Sequence, residues 1–240
     1  MEIVFAVERI NKNRGTTILM KTIAIIPARG GSKRLPNKNI LLLGNYPLLV
    51  HCILFAQANS EIIDDIYVST DDEKIKEIAL QFGAKVIDRP IVISGDLEPT
   101  ITTLQHVLQS IKDEVENVVL LQPTNPLRPE SLLKECYNTF KETSSDSLFT
   151  VSQNHQKFGK IVNSKFIPFN YEIGQRSQDL EPLFFENGLL YISKAKSIQD
   201  NKIISENAFP FVVNHIFAHV DIDTQNDLDY ANYILNHFNF

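Results

Sequence analysis

Short apolar runs of strand length alternate with helix-length amphipathic segments along most of this chain, and that alternation limits the fold more than any single motif. Ile23 to Ile26, Ile66 to Val68, Val118 to Leu121 and Leu148 to Val151 read as buried strands, with Lys85 to Ile87 a shorter one. Between them, Ile75, Ile78, Ala79 and Phe82 repeat at helical spacing, and Thr70 with Glu73 reads as a capping box. Segments 47–60, 100–111 and 130–143 read as further helices, the first with Pro47 near its start. Strand, helix, strand, helix predicts an α/β fold: a mostly parallel central sheet with helices on both faces.

The pattern changes near Ser152. Residues 153–186 carry two prolines, one short alternating run from Lys160 to Phe169 and no helical signal, so they read as an insertion that serves function or a partner. Strand-like Leu189 to Ser193 and His215 to Val220 then resume the fold, and a helix over 226–238 closes it. Met20 opens "MKTIAIIPARGG", where a buried first strand would sensibly start, and residues 1–19 read as an N-terminal extension that is dispensable for activity. They lack the long apolar core of a signal peptide.

A 240-residue chain with 43% hydrophobic residues can bury one substantial core. Its net charge of −6 argues against broad nucleic-acid binding, which rests on a basic face. No stretch approaches the roughly 20 apolar residues that span a bilayer. Cys52 and Cys136 lie in apolar segments without CxxC spacing, as buried thiols of a cytoplasmic protein would. The six histidines show no HExxH spacing for zinc.

Against this acidic background, "PARGGSKRLPNKN", residues 27–39, concentrates positive charge on the loop that leaves the first strand. Gly30 and Gly31 would let the backbone turn and approach a ligand closely, with N–H groups facing an anion. Arg29, Lys33 and Lys38 add a guanidinium fork and two ammonium charges, an inventory that suits a triphosphate. Neither GxxxxGK[ST] nor GxGxxG is present, which disfavours an ordinary P-loop or dinucleotide enzyme.

"VDIDT" places Asp221 and Asp223 two residues apart at a predicted strand end, so that both project to one side. Paired carboxylates suit Mg²⁺, whose remaining ligands would be water and phosphate oxygens. The plainer alternative is a helix start at Thr224 and Asp227. In "LLQPTNPLR", Gln122, Thr124 and Asn125 offer hydrogen-bonding groups on a loop stiffened by Pro123 and Pro126; "ENGLLYIS" puts Glu186 and Asn187 before a strand.

In order and together, "IAIIPARGGSKRLPNKN", "STDDEKIKEIALQFGA", "LLQPTNPLR", "ENGLLYI" and "DIDT" resemble the motifs of the CMP-sialic acid synthetases, the N-acylneuraminate cytidylyltransferases, over nearly all of residues 20–240. The resemblance implies a Rossmann-like nucleotidyltransferase fold, CTP and a nine-carbon 2-keto sugar acid as substrates, Mg²⁺, and a homodimer in which the 153–186 insertion reaches over the partner's site. It further implies that Arg29, Ser32, Lys33, Lys38 and Asn39, with the Gly30–Gly31 backbone, hold the triphosphate and ribose. Arg89 and Thr100 would contact cytosine. Gln122 and Asn187 would contact the acceptor sugar, and Lys157 and Arg176 would reach across the dimer interface. Asp221 and Asp223 would bind Mg²⁺, and Arg29, Lys33, Lys38 and Asp223 would form the catalytic set. The family often has Ser where Asn125 stands. Legionaminic, pseudaminic or Kdo-type acids, or GTP, are alternatives on the same scaffold, although "RGGSKRLPNKN" disfavours the Kdo branch. A nucleotide-binding subunit without catalysis is the alternative of another class, and the intact Asp pair argues against it.

Overall fold

A computed structural model describes residues 20–238. The reading of residues 1–19 as an extension therefore lies outside the described residues.

The first strand, β1 (Lys21–Pro27), is followed by a small hairpin of β2 (Leu42–Leu43) and β3 (Tyr46–Pro47), and then α1 (Leu48–Ala58). Next come β4 (Asp65–Thr70), α2 (Glu73–Gln81), β5 (Lys85–Asp88), α3 (Thr100–Ser110), β6 (Val115–Leu120), α4 (Leu132–Thr143) and β7 (Ser147–Asn154). The hairpin strands β8 (Gly159–Val162) and β9 (Lys165–Pro168) precede the long β10 (Leu183–Lys194), α5 (Ala195–Gln199), β11 (Phe209–Val212) and α6 (Gln225–His237).

Seven strands form one sheet in the order β11-β7-β10-β6-β1-β4-β5. β4, β1 and β6 run parallel, as do β4 and β5, while β10 is antiparallel to both β6 and β7. The expected mixed, mostly parallel α/β sheet is thus present. Alternation along β1 divides the core: Ala24 and Ile26 face a layer containing α1, α4 and α6 residues, whereas Ile23 and Ile25 face Leu104 and Val107 of α3 and Ile198 of α5. Helix α1 has little amphipathic bias because it is itself covered; Leu48, Leu49, Val50, Cys52, Ile53 and Ala56 are all buried.

Three local expectations change. The Thr70–Glu73 capping box is absent: Asp72 caps α2, its side chain accepting from Ile75 N, and Thr70 ends β4. His215 to Val220 is no strand but a 3-10 turn over Ile216–His219, started where the His215 ring accepts from Phe217 N at 3.2 Å. The missing strand is β11, which includes Pro210 and survives because it sits at the sheet edge, where a lost N–H costs least.

The 153–186 segment starts and ends as main-sheet strand, with β7 running to Asn154 and β10 beginning at Leu183. Between these ends the alternating run Lys160–Phe169 forms the β8–β9 hairpin. Cys52 and Cys136 are free and buried, and desolvation pushes both thiols up. No helix among the described residues is long and apolar enough to cross a membrane.

Candidate active site

The loops after β1, β5 and β6 meet at the carboxyl edge of the sheet, where parallel α/β folds bind ligands. They enclose a cleft of about 520 Å³, a size suited to a small organic ligand. Arg29, Ser32, Lys33, Lys38 and Asn39 line it from the loop after β1, Arg89 and Thr100 from the segment after β5, and Gln122 and Thr124 from the loop after β6, with Asp223 joining them from the approach to α6.

The basic loop is organised differently from the sequence expectation. Neither Gly30 nor Gly31 has a positive φ; Asn37, at φ 57°, makes the left-handed turn. Gly30 is needed for packing, since a Cβ there would come within 2.8 Å of Asp72. Its N–H donates to the carboxylate of Asp71 at Oδ1, 2.9 Å away, and so is not free for a ligand anion. Asn39 is buried and donates to Arg29 O at 2.8 Å, closing the loop on itself.

Every cation of the loop is paired. Arg29 Nη1 and Lys33 Nζ approach Asp96 at 2.7 and 2.5 Å, and Arg34 Nη2 and Lys38 Nζ approach Asp223 at 2.7 and 2.8 Å. Sequence reasoning missed Arg34 and Asp96: Arg34 is one of several basic residues in its run, and Asp96 reaches the loop only through the sheet topology. Lys33 first and then Arg29 hold the Asp96 carboxyl below its ordinary range. Arg89 is buried against β4, donating to Ser69 Oγ at 3.2 Å and Ser69 O at 2.6 Å, and burial brings its pKa down to about 10.

Asp221 and Asp223 flank the fully buried Ile222, which fixes both on the side away from the core, although no strand precedes them. Asp223 lines the cleft; Asp221 does not. Desolvation by the surrounding loops, then the charge of Asp223, pushes the Asp221 carboxyl above its ordinary value, even though the residue as a whole is exposed. A second carboxylate close enough for its charge to act on Asp221 makes a pair of oxygen donors that fits a hard divalent cation. Thr224 and Asp227 do form a capping box on α6, so the helix start and the Asp pair coexist.

The third loop is tied to the Asp pair from within. Ile222 N donates to Thr124 O at 2.8 Å, and Asn125 Nδ2 donates to Val220 O at 3.0 Å and to Asn187 O at 3.2 Å. Asn125, whose amide the sequence offers as a hydrogen-bonding group, is buried and holds three chain segments together. Gly188 beside it has φ +74°, and a Cβ would meet Asn125 Oδ1 at 2.6 Å. Asn187 is also buried, its amide engaged by Thr150 Oγ1, Ser152 Oγ and Leu189 N, and it does not line the cleft.

Lys157 and Arg176 lie in the insertion, outside the cleft of their own chain. Lys157 Nζ donates to Gln175 O and sits 5.1 Å from the Tyr171 ring centroid, and Arg176 makes a two-pronged contact with Asp179 at 2.7 and 3.0 Å. The insertion leaves Ile161, Ile173, Phe166 and Phe169 exposed, and a separate apolar cavity of about 480 Å³ opens among Phe158, Phe169, Phe184 and Phe185.

A mostly parallel sheet whose carboxyl edge gathers four cations beside Asp96 and Asp223 is suited to hold a polyphosphate, and the family match makes the class a nucleotidyltransferase. The cytidylyltransferase family profile matches residues 23–237, and the chain belongs to that family, as a cytidylyltransferase of the acylneuraminate type. Pseudaminic acid cytidylyltransferase of Campylobacter jejuni is 34% identical over 91% of this chain and 98% of its own length. CMP-N,N'-diacetyllegionaminic acid synthase of Legionella pneumophila is 35% identical over 87% of this chain and 93% of its own. N-acylneuraminate cytidylyltransferase of Streptococcus agalactiae is 33% identical over 87% of this chain, which spans only 52% of that relative. Among solved structures, CMP:2-keto-3-deoxy-manno-octonic acid synthetase complexed with CTP superposes with TM-score 0.67 at 16% identity, covering 90% of this chain and 98% of that one, a likeness of fold.

Proposed function

We propose that this enzyme transfers CMP from CTP to the anomeric hydroxyl of a nine-carbon 2-keto sugar acid of the sialic type, releasing pyrophosphate. The single observation that carries the reading is the one cleft lined by Arg29, Lys33, Arg34 and Lys38 together with Arg89, Thr100 and Asp223. Four cations of one loop suit a triphosphate, and the buried Arg89 guanidinium and the Thr100 hydroxyl, both lining the same cleft, suit a pyrimidine edge. Gln122 in that cleft would face the acceptor. The names of relatives from Campylobacter, Legionella and Streptococcus support a nonulosonic acid, and products of that class supply cell-surface glycans.

Asp221 and Asp223 would hold Mg²⁺, which supplies charge neutralisation at the phosphates. The protein's own task is positioning and electrostatics: the basic loop spreads the charge that builds on the departing pyrophosphate, and the nucleoside wall keeps the α-phosphorus in line with the incoming hydroxyl. With a panel of nonulosonic acids and each of the four nucleoside triphosphates, pyrophosphate release is expected with CTP and one of the sialic, legionaminic or pseudaminic acids. Release with GTP alone would transfer the reading to the guanine nucleotide, and release with no pair would favour a binding subunit.

The exposed apolar insertion supports a homodimer, since contiguous apolar surface of this kind marks an interface. Ile161 and Ile173 are 80% and 83% exposed, so a charge there spares the monomer's core. The 27.3 kDa chain should sediment as a dimer, and the double variant Ile161→Glu/Ile173→Glu as a monomer. A monomeric wild type at assay concentration would refute the assembly.

A further inference from the structure

Asp96 lies in the loop that joins the 3-10 turn Ile91–Ile93 to α3, and both of its carboxylate oxygens are engaged, Oδ1 by Arg29 and Oδ2 by Lys33. Little else holds this loop to the site. Ile91, Val92 and Leu97 are 83%, 77% and 97% exposed, so the loop is anchored chiefly at half-buried Ile93 and buried Ser94, and among the described residues the one further bond to the basic loop is Arg29 Nη1 to Ser94 O at 3.4 Å. Glu98, on the same loop and also lining the cleft, makes no ion pair among the described residues. A carboxylate bridging a guanidinium and an ammonium presents two oxygens in the manner of a phosphate. Both cations keep further N–H donors, but while Asp96 is paired with them its negative charge offsets theirs and repels a phosphate at the same place.

We propose that Asp96 is an internal competitor for phosphate, occupying the Arg29–Lys33 anion subsite in the free enzyme and yielding it to the polyphosphate of the incoming nucleotide. The proposal rests on the reading of the cleft as a triphosphate site and adds a determinant of selectivity to it. Because the pairs are solvent-exposed they are individually weak, so a ligand bearing several negative charges displaces the carboxylate readily, while an uncharged ligand gains nothing from the subsite. Displacement also frees the 94–99 loop from its tether, which couples occupancy of the phosphate subsite to rearrangement of that cleft wall.

The test compares binding of CTP, inorganic pyrophosphate and cytidine to the full-length wild type, Asp96→Asn and Glu98→Gln by calorimetry at fixed low ionic strength. Asp96→Asn should bind CTP and pyrophosphate about tenfold more tightly, the effect of removing two exposed ion pairs from the competing state, and cytidine with unchanged affinity. Glu98→Gln removes the same charge without touching Arg29 or Lys33 and should shift pyrophosphate affinity far less. Equal tightening in both variants reduces the effect to net charge and overturns the proposal, as does weaker binding in Asp96→Asn, which would make the carboxylate an organiser of the cations. If wild type binds neither CTP nor pyrophosphate, the triphosphate reading fails; tight pyrophosphate binding by Asp96→Asn alone would still uphold the competitor, and binding by neither would end both.

Discussion

Asp223→Asn should lower turnover by roughly a hundred- to a thousandfold while leaving the fold intact, the scale of loss when one preorganised electrostatic group is removed from a reacting centre. Asp223 accepts from both Lys38 and Arg34 and stands beside Asp221, so the substitution weakens the fixed geometry of two cations and halves the charge available to a metal. The loss should fall mainly on kcat, since the cations themselves remain to bind CTP. Steady-state pyrophosphate release over a Mg²⁺ titration, with a thermal melt of the same preparation, separates chemistry from folding. Near-normal turnover at ordinary Mg²⁺ would remove Asp223 from the metal and catalytic roles together.

Arg128→Met should destabilise the protein by about 2–4 kcal/mol, the largest stability effect expected from one polar side chain here. Arg128 is buried and forms no ion pair among the described residues. Its Nε donates to Leu189 O at 2.6 Å and Nη2 to Gln122 O at 3.1 Å, and its guanidinium packs 5.6 Å from the Phe55 ring centroid. Methionine fills much of the volume but leaves the Leu189 carbonyl, in the irregular stretch of β10, without its donor. Urea unfolding measures the change, and a loss under about 1 kcal/mol would show that water or a neighbour replaces the guanidinium. Arg128→Lys should recover only part, because one ammonium cannot span both carbonyls.

The sheet was legible because buried parallel strands need continuous apolar runs and their covering helices need a 3.6-residue stripe, and Ile23 to Ile26 and Ile75 to Phe82 carry those signals plainly. His215 to Val220 misled because its alternation is satisfied equally by a turn that buries Phe217, Ala218 and Val220. In the site, Arg29, Lys33, Lys38 and Asp223 could be found since charge stands out against an apolar strand. Asn125 and Asn187 could not be sorted in the same way. An amide that ties backbone together and an amide that meets a ligand have one composition, and only burial and partners tell them apart. Asp96 was hidden for a related reason: its partners lie two whole βαβ crossovers away.

The amide of Asn125, bonded to the carbonyls of Asn187 and Val220, has a bearing on redesign. The segment after β6, the kink in β10 and the approach to α6 share one buried donor, so they form a single inheritable cassette. Transplanting residues near 187 alone from a relative would separate that donor from the backbone it meets. A chimera that moves residues 122–128, 187–190 and 220–223 as one block preserves the match, and directed evolution of this enzyme should find its compensating changes within those three stretches.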